Sequence, residues 1–401
     1  MSAQPPPQVA NPILANLPTT IFEVMSGLAR QYKAVNLGQG FPDDPGPLSV
    51  RTAAADAVLH GDNQYPPMMG QMALRDAVAA FYRQIQGLRL DSDQVIITCG
   101  ATEALAASLL ALIAPGDEVV IFQPLYDLYA PMVRRAGGQP KFANLRPPLW
   151  RLTAELIDEA ISDATKLVIF NNPLNPAGIV HSAEELALLA KACVRHDVIA
   201  ICDEVWEQVV FDGPAFQPLI AFPGMAERTV KIGSAGKMFS LTGWKIGWTV
   251  AAPHLTRAIA KAHQFLTFTL APPLQTAVTF GLETWLTEAG AAEAQTRRHA
   301  FLASRDRLTG LLRAEGFSVS QAQGTYFLTL DLKASGIGLD DVTFCRLAVE
   351  EAGVVAIPIS AFYDQSPEIG FVRLCFAKYD ATLDAGAERL AKARQIAMAR
   401  G

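Results

Sequence analysis

The stretch Thr229-Val-Lys-Ile-Gly-Ser-Ala-Gly-Lys237 begins as a short apolar run and breaks into a loop rich in glycine and serine, which continues Met238-Phe-Ser-Leu-Thr-Gly-Trp-Lys245. Four runs of the same kind lie upstream: Val95-Ile-Ile-Thr98, Glu118-Val-Val-Ile-Phe122, Lys166-Leu-Val-Ile-Phe170 and Val198-Ile-Ala-Ile-Cys202. Short apolar runs separated by helix-period stretches are the signature of βα units around a mainly parallel sheet. The chain from about residue 70 to 250 is therefore expected to be α/β. Each run ends in a polar loop: Gly100-Ala-Thr102, Tyr126, Asn171 to Asn175, Asp203, and Ser234 to Lys237. Ligands of such sheets sit beyond the carboxyl ends of the strands, so these loops are expected to converge on one site.

Outward from this block the pattern changes after about residue 285. Glu288 to Glu315 is rich in Ala and Arg, has few breakers, and reads as a long helix leaving the first domain. Thr325-Tyr-Phe-Leu-Thr-Leu330 and Phe371-Val-Arg-Leu-Cys-Phe376 read as strands, with helices near Asp340 to Ala352 and from Thr382. The expected organisation is an N-terminal arm over 1–45 joining the small domain, a large domain over 46–287, and a small α+β domain over 288–401.

Half of the 401 residues are hydrophobic, 18% are charged and the mean hydropathy is +0.21, which excludes a disordered chain. Lys and Arg number 33 against 39 Asp and Glu, a formal charge of −6, so no electrostatic footprint for nucleic acid exists overall. The longest apolar stretch, Ala104 to Ala114, is cut by Pro115-Gly-Asp117 and falls short of the ~20 residues that span a bilayer; it reads as a buried helix. Met1-Ser-Ala-Gln-Pro-Pro-Pro7 lacks the basic start and apolar block of a secretory signal and reads as an extended arm, giving a cytoplasmic expectation. Cys99, Cys193, Cys202, Cys345 and Cys375 are scattered and form no CxxC pair, so reduced, packed thiols are expected and no metal site.

Four residues stand out for chemistry. Lys237 sits in a loop just past a buried strand; an amine in a low-dielectric cleft titrates low enough to form a Schiff base, although a surface loop lysine fits the same pattern. Asn175, in Asn172-Pro-Leu-Asn-Pro-Ala-Gly178, could have its amide aimed inward by the flanking prolines, or could lie in an ordinary Asn-Pro turn. Asp203 ends a strand, where its carboxylate could cap a helix or hold a protonated ring nitrogen. Arg373 interrupts an apolar strand; its planar fork suits a carboxylate, either of a ligand or of an internal salt bridge.

Asn36-Leu-Gly-Gln-Gly-Phe-Pro-Asp43, Asn63-Gln-Tyr-Pro-Pro-Met68, Gly100-Ala-Thr-Glu-Ala-Leu105, Tyr126-Asp-Leu-Tyr-Ala-Pro131, the loop Ile232 to Lys245 and Arg373-Leu-Cys-Phe-Ala-Lys378 occur in that order over nearly the whole chain. Any one is weak; the ordered set resembles the class I/II aminotransferases, fold type I pyridoxal-phosphate enzymes. Within them it resembles the branch of kynurenine–oxoglutarate transaminase, glutamine transaminase and bacterial methionine aminotransferase. The resemblance implies a PLP-transferase fold type I, with a mainly parallel central sheet in the large domain and pyridoxal 5′-phosphate as cofactor.

Carried residue by residue, the resemblance makes Lys237 the lysine that forms the internal aldimine and shuttles the proton. Asp203 becomes the aspartate that keeps the pyridine nitrogen protonated, Asn175 the donor to the ring oxygen O3′, and Tyr126 the ring stacked on the pyridine. The phosphate is expected at the helix N-terminus after Gly100, on the N–H groups of Ala101 and Thr102, with Ser234 and Lys245. Tyr65 would reach it from the neighbouring subunit, which implies a homodimer with shared sites. Arg373 would clamp the substrate α-carboxylate, assisted by the backbone near Gly40, with Phe22, the Phe268 of the other chain and Tyr126 around the side chain.

Two positions depart from the family pattern. Trp206 stands where a tyrosine usually donates to O3′, and Thr269 where kynurenine-specific relatives carry histidine. The expected reaction is transamination of a large neutral amino acid, whether sulfur-containing, aromatic or amide, with a 2-oxo acid. A β-lyase acting on cysteine conjugates and an aminotransferase of N-succinyldiaminopimelate or dicarboxylates are the alternatives. A ligand-sensing regulator on the same fold would need an added DNA-binding segment. Gly38-Gln-Gly40 lacks the third glycine of a nucleotide fingerprint.

Overall fold

The computed structural model describes residues 11–15, 17–365, 367 and 369–400. The proline-rich arm Met1–Pro7 lies outside them. Its larger sheet runs, in spatial order, Val95–Cys99, Ile246–Ala251, Thr229–Ser234, Ile199–Asp203, Thr165–Asn171, Glu118–Gln123 and Gln139–Asn144. Ile246–Ala251 is antiparallel to both its neighbours, and every other adjacent pair is parallel. The fold is thus the expected α/β architecture, with two strands beyond the five apolar runs.

Pleating divides each strand between two buried faces. Val119, Ile121, Leu167, Ile169, Ile201, Val230 and Ile232 share one apolar cluster with Leu105 and Leu109 of the helix Gly100–Leu112. Val120, Phe122, Val168, Phe170, Ala200 and Cys202 pack on the opposite side. Because side chains alternate with a period of two, Asp203 falls on the face of Ile201, and Ser234 on the face of Val230 and Ile232. Both therefore end their strands on the side covered by that helix.

The turn after Asp203 is pinned by a buried ionic group. Lys231 Nζ donates to Glu204 Oε2 at 2.5 Å and to Glu207 Oε2 at 2.6 Å. Tyr82 Oη donates to the other oxygen of Glu207 at 2.6 Å, and itself accepts from Trp248 Nε1 at 2.8 Å. An unpaired buried charge is strongly unfavourable, so this network allows one arrangement of residues 203–207. That segment carries both Asp203 and Trp206.

Helix Glu288–Ala314 leads from this sheet to a second one, ordered Ile357–Pro358, Phe371–Cys375, Phe327–Asp331 and Ser318–Val319, antiparallel throughout. Val35–Asn36 pairs in parallel with Val354–Val355, tying the N-terminal segment to the C-terminal third. The final helix spans Asp380–Met398. The expected helix near 340–352 is α over Asp341–Leu347 and widens to a π turn over Ala348–Ala352. Among the described residues no helix is long and apolar enough to cross a membrane.

Candidate active site

The carboxyl ends of the parallel strands open on one cavity. It is lined by Gly100, Ala101, Thr102, Tyr126, Asn175, Asp203, Trp206, Ser234, Lys237 and Lys245, with Leu105, Tyr129, Asn171, Val205, Gly236 and Thr242. Ten residues singled out from sequence for cofactor binding are therefore brought together.

At one end the chain turns sharply into the helix Gly100–Leu112. Gly100 has φ +65°, in the left-handed region, and a Cβ there would stand 3.1 Å from Lys245 Nζ, so conformation and space both call for glycine. The first N–H groups of a helix lack intrahelical acceptors and attract anions. Lys245 Nζ donates to Thr102 Oγ1 at 3.2 Å beside this terminus.

At the other end Asp203 is 6% exposed. Its Oδ2 accepts from Tyr129 Oη at 2.6 Å, while Oδ1 is buried with no partner. Burial pushes the Asp203 carboxyl above its ordinary range, opposed by Tyr129, the Val205 N–H and Lys237. Asn171 fixes the adjoining loop: its amide donates to Asp203 O at 2.7 Å and its Oδ1 accepts from Asn175 N at 2.8 Å.

Lys237 Nζ lies 4.7 Å over the Trp206 ring and donates to Tyr326 Oη at 3.3 Å. Burial lowers its pKa from the ordinary 10.5 to about 8, with Cys375 and Asp203 opposing and Arg373 and Lys245 adding to the shift. Lys237 lies in the short helix Ala235–Met238 and not in the expected loop, half-buried in the cavity wall, so it is not a free surface lysine.

Arg373 is 1% exposed. Its NH1 donates to Asn175 Oδ1 at 3.0 Å and its NH2 to Gly38 O at 2.6 Å, while Nε is buried without a partner. The guanidinium is stacked 4.0 Å over Phe327, with Phe22 at 5.2 Å and Phe362 at 5.3 Å. Among the described residues no carboxylate pairs with it, which removes the internal salt bridge as an explanation. Burial lowers its pKa to about 10, so it stays charged at neutral pH. Since Asn175 spends its oxygen on Arg373, its Nδ2 is left to donate.

Residues 32–390 match the family Aminotransferase class I and II. The chain belongs to that family. It is 43% identical over 388 residues to a probable N-succinyldiaminopimelate aminotransferase of Mycobacterium tuberculosis, covering 93% of this chain and 95% of the relative. The solved N-succinyldiaminopimelate aminotransferase from that organism superposes with TM-score 0.91, over 96% of this chain and all of the other. Methionine aminotransferase of Escherichia coli is 39% identical over 96% of this chain and 98% of its own. Human kynurenine–oxoglutarate transaminase 1 is 36% identical over 91% and 93%. This aminotransferase thus has the fold type I architecture and the family's dependence on pyridoxal 5′-phosphate.

The cavity of this aminotransferase suits that cofactor. The orphaned Asp203 Oδ1 is an acceptor awaiting an N–H, as a protonated pyridine provides. The glycine turn, helix N-terminus and Lys245 make an anion cradle for a phosphate. Tyr65 and Phe268 do not line this chain's cavity: they pack edge to face at 5.9 Å on the surface, 84% and 43% exposed. Phe22 and Gly40 lie on the Arg373 side, Gly40 through its carbonyl's hydrogen bond from Tyr326 Oη at 2.9 Å.

Sequence reasoning missed Tyr129, Asn171, Gly247 and Tyr326. Tyr129 and Asn171 sit inside quoted stretches, three residues after Tyr126 and four before Asn175, where a polar side chain next to a strand end was a usable signal. Gly247 carried none. A Cβ on it would stand 2.8 Å from Gly100 C and 2.9 Å from Ala101 N, both backbone atoms that cannot swing aside. Gly247→Ala should therefore push the helix start outward and weaken PLP binding about tenfold or more, in line with the ~1–3 kcal/mol typical of overpacking. Titration of the protein with PLP, followed by absorbance, checks this; unchanged affinity would show that the cradle tolerates the shift.

Proposed function

We propose that this aminotransferase moves the α-amino group of a large neutral amino acid to a 2-oxo acid. The observation that carries the reading is the buried, charged Arg373 with neutral partners only, which leaves the guanidinium in want of a carboxylate from the ligand. Phe22, Phe327 and Phe362 surround it, giving an apolar neighbourhood for the substrate side chain. Among the described residues the cavity lining holds two cations, Lys237 and Lys245, and both face the cofactor end.

In this reading the Ala101 and Thr102 N–H groups, Ser234 and Lys245 hold the phosphate. Asp203, oriented by Tyr129, keeps a proton on the ring nitrogen, Asn175 Nδ2 donates to the ring oxygen, and Tyr126 covers the ring. When bound, the cofactor supplies an electron sink for the pair left behind as the α-proton departs. Lys237, neutral above about pH 8, would take that proton at Nζ and hand it back later in the same half-reaction. Arg373 orients the α-carboxylate so that the Cα–H faces Nζ.

A homodimer with shared sites belongs to the same proposal, as do an arm over 1–45, a large domain over 46–287 and a small one over 288–401. Exposed Tyr65 and Phe268, with Phe265 at 86% and Leu266 at 47% exposure, form an apolar surface that a second copy would cover. Sedimentation at twice the chain mass is expected; a monomer active by itself would refute the shared site.

A second reading, N-succinyldiaminopimelate as amino donor, is favoured by the 43% identity to the mycobacterial relative. A half-reaction screen decides between them: the yellow enzyme is mixed with single amino acids and its absorbance followed. Methionine, glutamine, phenylalanine or kynurenine should react faster than aspartate and N-succinyldiaminopimelate; preference for either of the last two overturns the neutral-substrate reading. Release of pyruvate and ammonia from a cysteine conjugate without an acceptor would mark a β-lyase. Lys237→Ala should abolish the half-reaction. Arg373→Ala should lower kcat/KM for every α-amino acid about a hundredfold or more, as expected for losing a charged partner of a buried carboxylate, and Arg373→Lys should recover part of it. Equal kinetics for Arg373→Ala would make the residue structural.

A further inference from the structure

Tyr326 precedes the strand Phe327–Asp331 and is fully buried. Its hydroxyl has one proton and two lone pairs. The proton is committed to Gly40 O at 2.9 Å, so the lone pairs are what Lys237 Nζ meets at 3.3 Å. Among the described residues this is the one side chain that hydrogen-bonds Nζ. The phenol is itself held firmly: Trp206 stands edge to face against it at 4.4 Å and 89°, and Phe327 and Phe301 close at 5.1 and 6.0 Å.

We propose that Tyr326 is a positioning residue for Lys237: its oxygen, oriented by the Gly40 carbonyl, anchors the free ε-amine above the Trp206 ring. A neutral amine that donates one N–H to Tyr326 Oη has its lone pair turned away from that oxygen, toward the cavity. Without the anchor the four-carbon stem of lysine is free to rotate, and the fraction of time spent in a reactive geometry falls. The inference rests on the proposed role of Lys237 as the amine that moves the α-proton. It also places the phenol that meets Lys237 on the strand Phe327–Asp331 side, whereas the turn after Asp203 presents an indole.

Tyr326→Phe removes one oxygen and keeps the ring packing. The first measurement needs no turnover: the full chain is loaded with pyridoxamine 5′-phosphate, which leaves Lys237 a free amine, and the rate of Lys237 acylation is mapped by mass spectrometry against pH. A hydroxyl acceptor favours the ammonium form, so its loss should move the midpoint down by about half a pH unit or more. The groups that face Nζ, namely Asp203, Cys375, Arg373 and Lys245, are the same in both proteins. The second measurement is the half-reaction of the PLP enzyme. Here kcat should fall about tenfold with KM little changed, and the isotope effect with a Cα-deuterated amino acid should rise, because proton removal becomes more limiting. An unchanged acylation midpoint overturns the proposal whatever the kinetics show. Should the wild-type chain transaminate nothing, the proposed function fails while acylation still decides the role of Tyr326. If Tyr326→Phe does not fold, Tyr326→Met, which likewise carries no hydroxyl, should shift the midpoint in the same direction; no shift overturns the proposal.

Discussion

The Arg373 guanidinium is fixed by Asn175 Oδ1 and Gly38 O, two neutral oxygens from segments far apart in sequence. It therefore joins three parts of the chain at one point: the N-terminal stretch, the loop after the strand Thr165–Asn171, and the strand Phe371–Cys375. Neutral acceptors orient a cation without cancelling its charge. The cost of desolvation, several kcal/mol for a buried ion, is largely left uncompensated by these two oxygens, which the proposed binding of a substrate carboxylate would relieve. An apolar residue in its place would pack at lower cost, so stability alone does not account for an arginine here. Aromatic faces at 4.0 to 5.3 Å reduce the penalty and keep water away, which would strengthen an ion pair with the proposed carboxylate.

The same imbalance extends across the cavity. Lys237 and Lys245 share with one carboxylate, Asp203, a space walled by Tyr126, Val205 and Trp206, and Arg373 adjoins it through Asn175. In the proposed function the lysines beside the helix N-terminus would suit one anionic group and the buried Arg373 a second. Asp203 is confined to the far end by Tyr129 and by the ionic anchoring of residues 204 and 207, so it cannot swing across to neutralise Arg373. Charge separation across the cavity is thus maintained by buried hydrogen bonds on the sheet side.

The parts of this arrangement legible in sequence are those with local signals. Five apolar runs each became a strand, because each is bounded by turn residues and flanked by helix-period sequence. Gln139–Asn144 escaped notice: it is an edge strand with Pro140 and Lys141, and edges are kept polar to discourage pairing with other chains. Ile246–Ala251 was hidden because only the four-residue helix Ala235–Met238 and the single turn Thr242–Trp244 separate it from Thr229–Ser234, and its antiparallel course breaks the βα rhythm. Val35–Asn36 is two residues long and has no periodicity to read. Among site residues, Lys237 and Asp203 were visible by their place at strand ends. Tyr326 was not, since its meaning comes from Lys237 and Gly40, 89 and 286 positions away.

Trp206 shows how local substitution and tertiary setting combine. An indole in place of a phenol removes a polar group next to Lys237 but adds a large π face 4.7 Å beneath Nζ. That face favours the ammonium, as does the Tyr326 oxygen, whereas burial favours the neutral amine. Cation–π attraction and one neutral hydrogen bond are each worth about 1 kcal/mol, less than the desolvation of a buried ammonium. Burial therefore wins, and the amine titrates at about 8. It wins narrowly enough that both protonation states are populated near neutral pH. For the proposed role of Lys237, in which Nζ accepts a proton and gives it back in one turnover, such a pKa is suited, because neither transfer would then run steeply uphill.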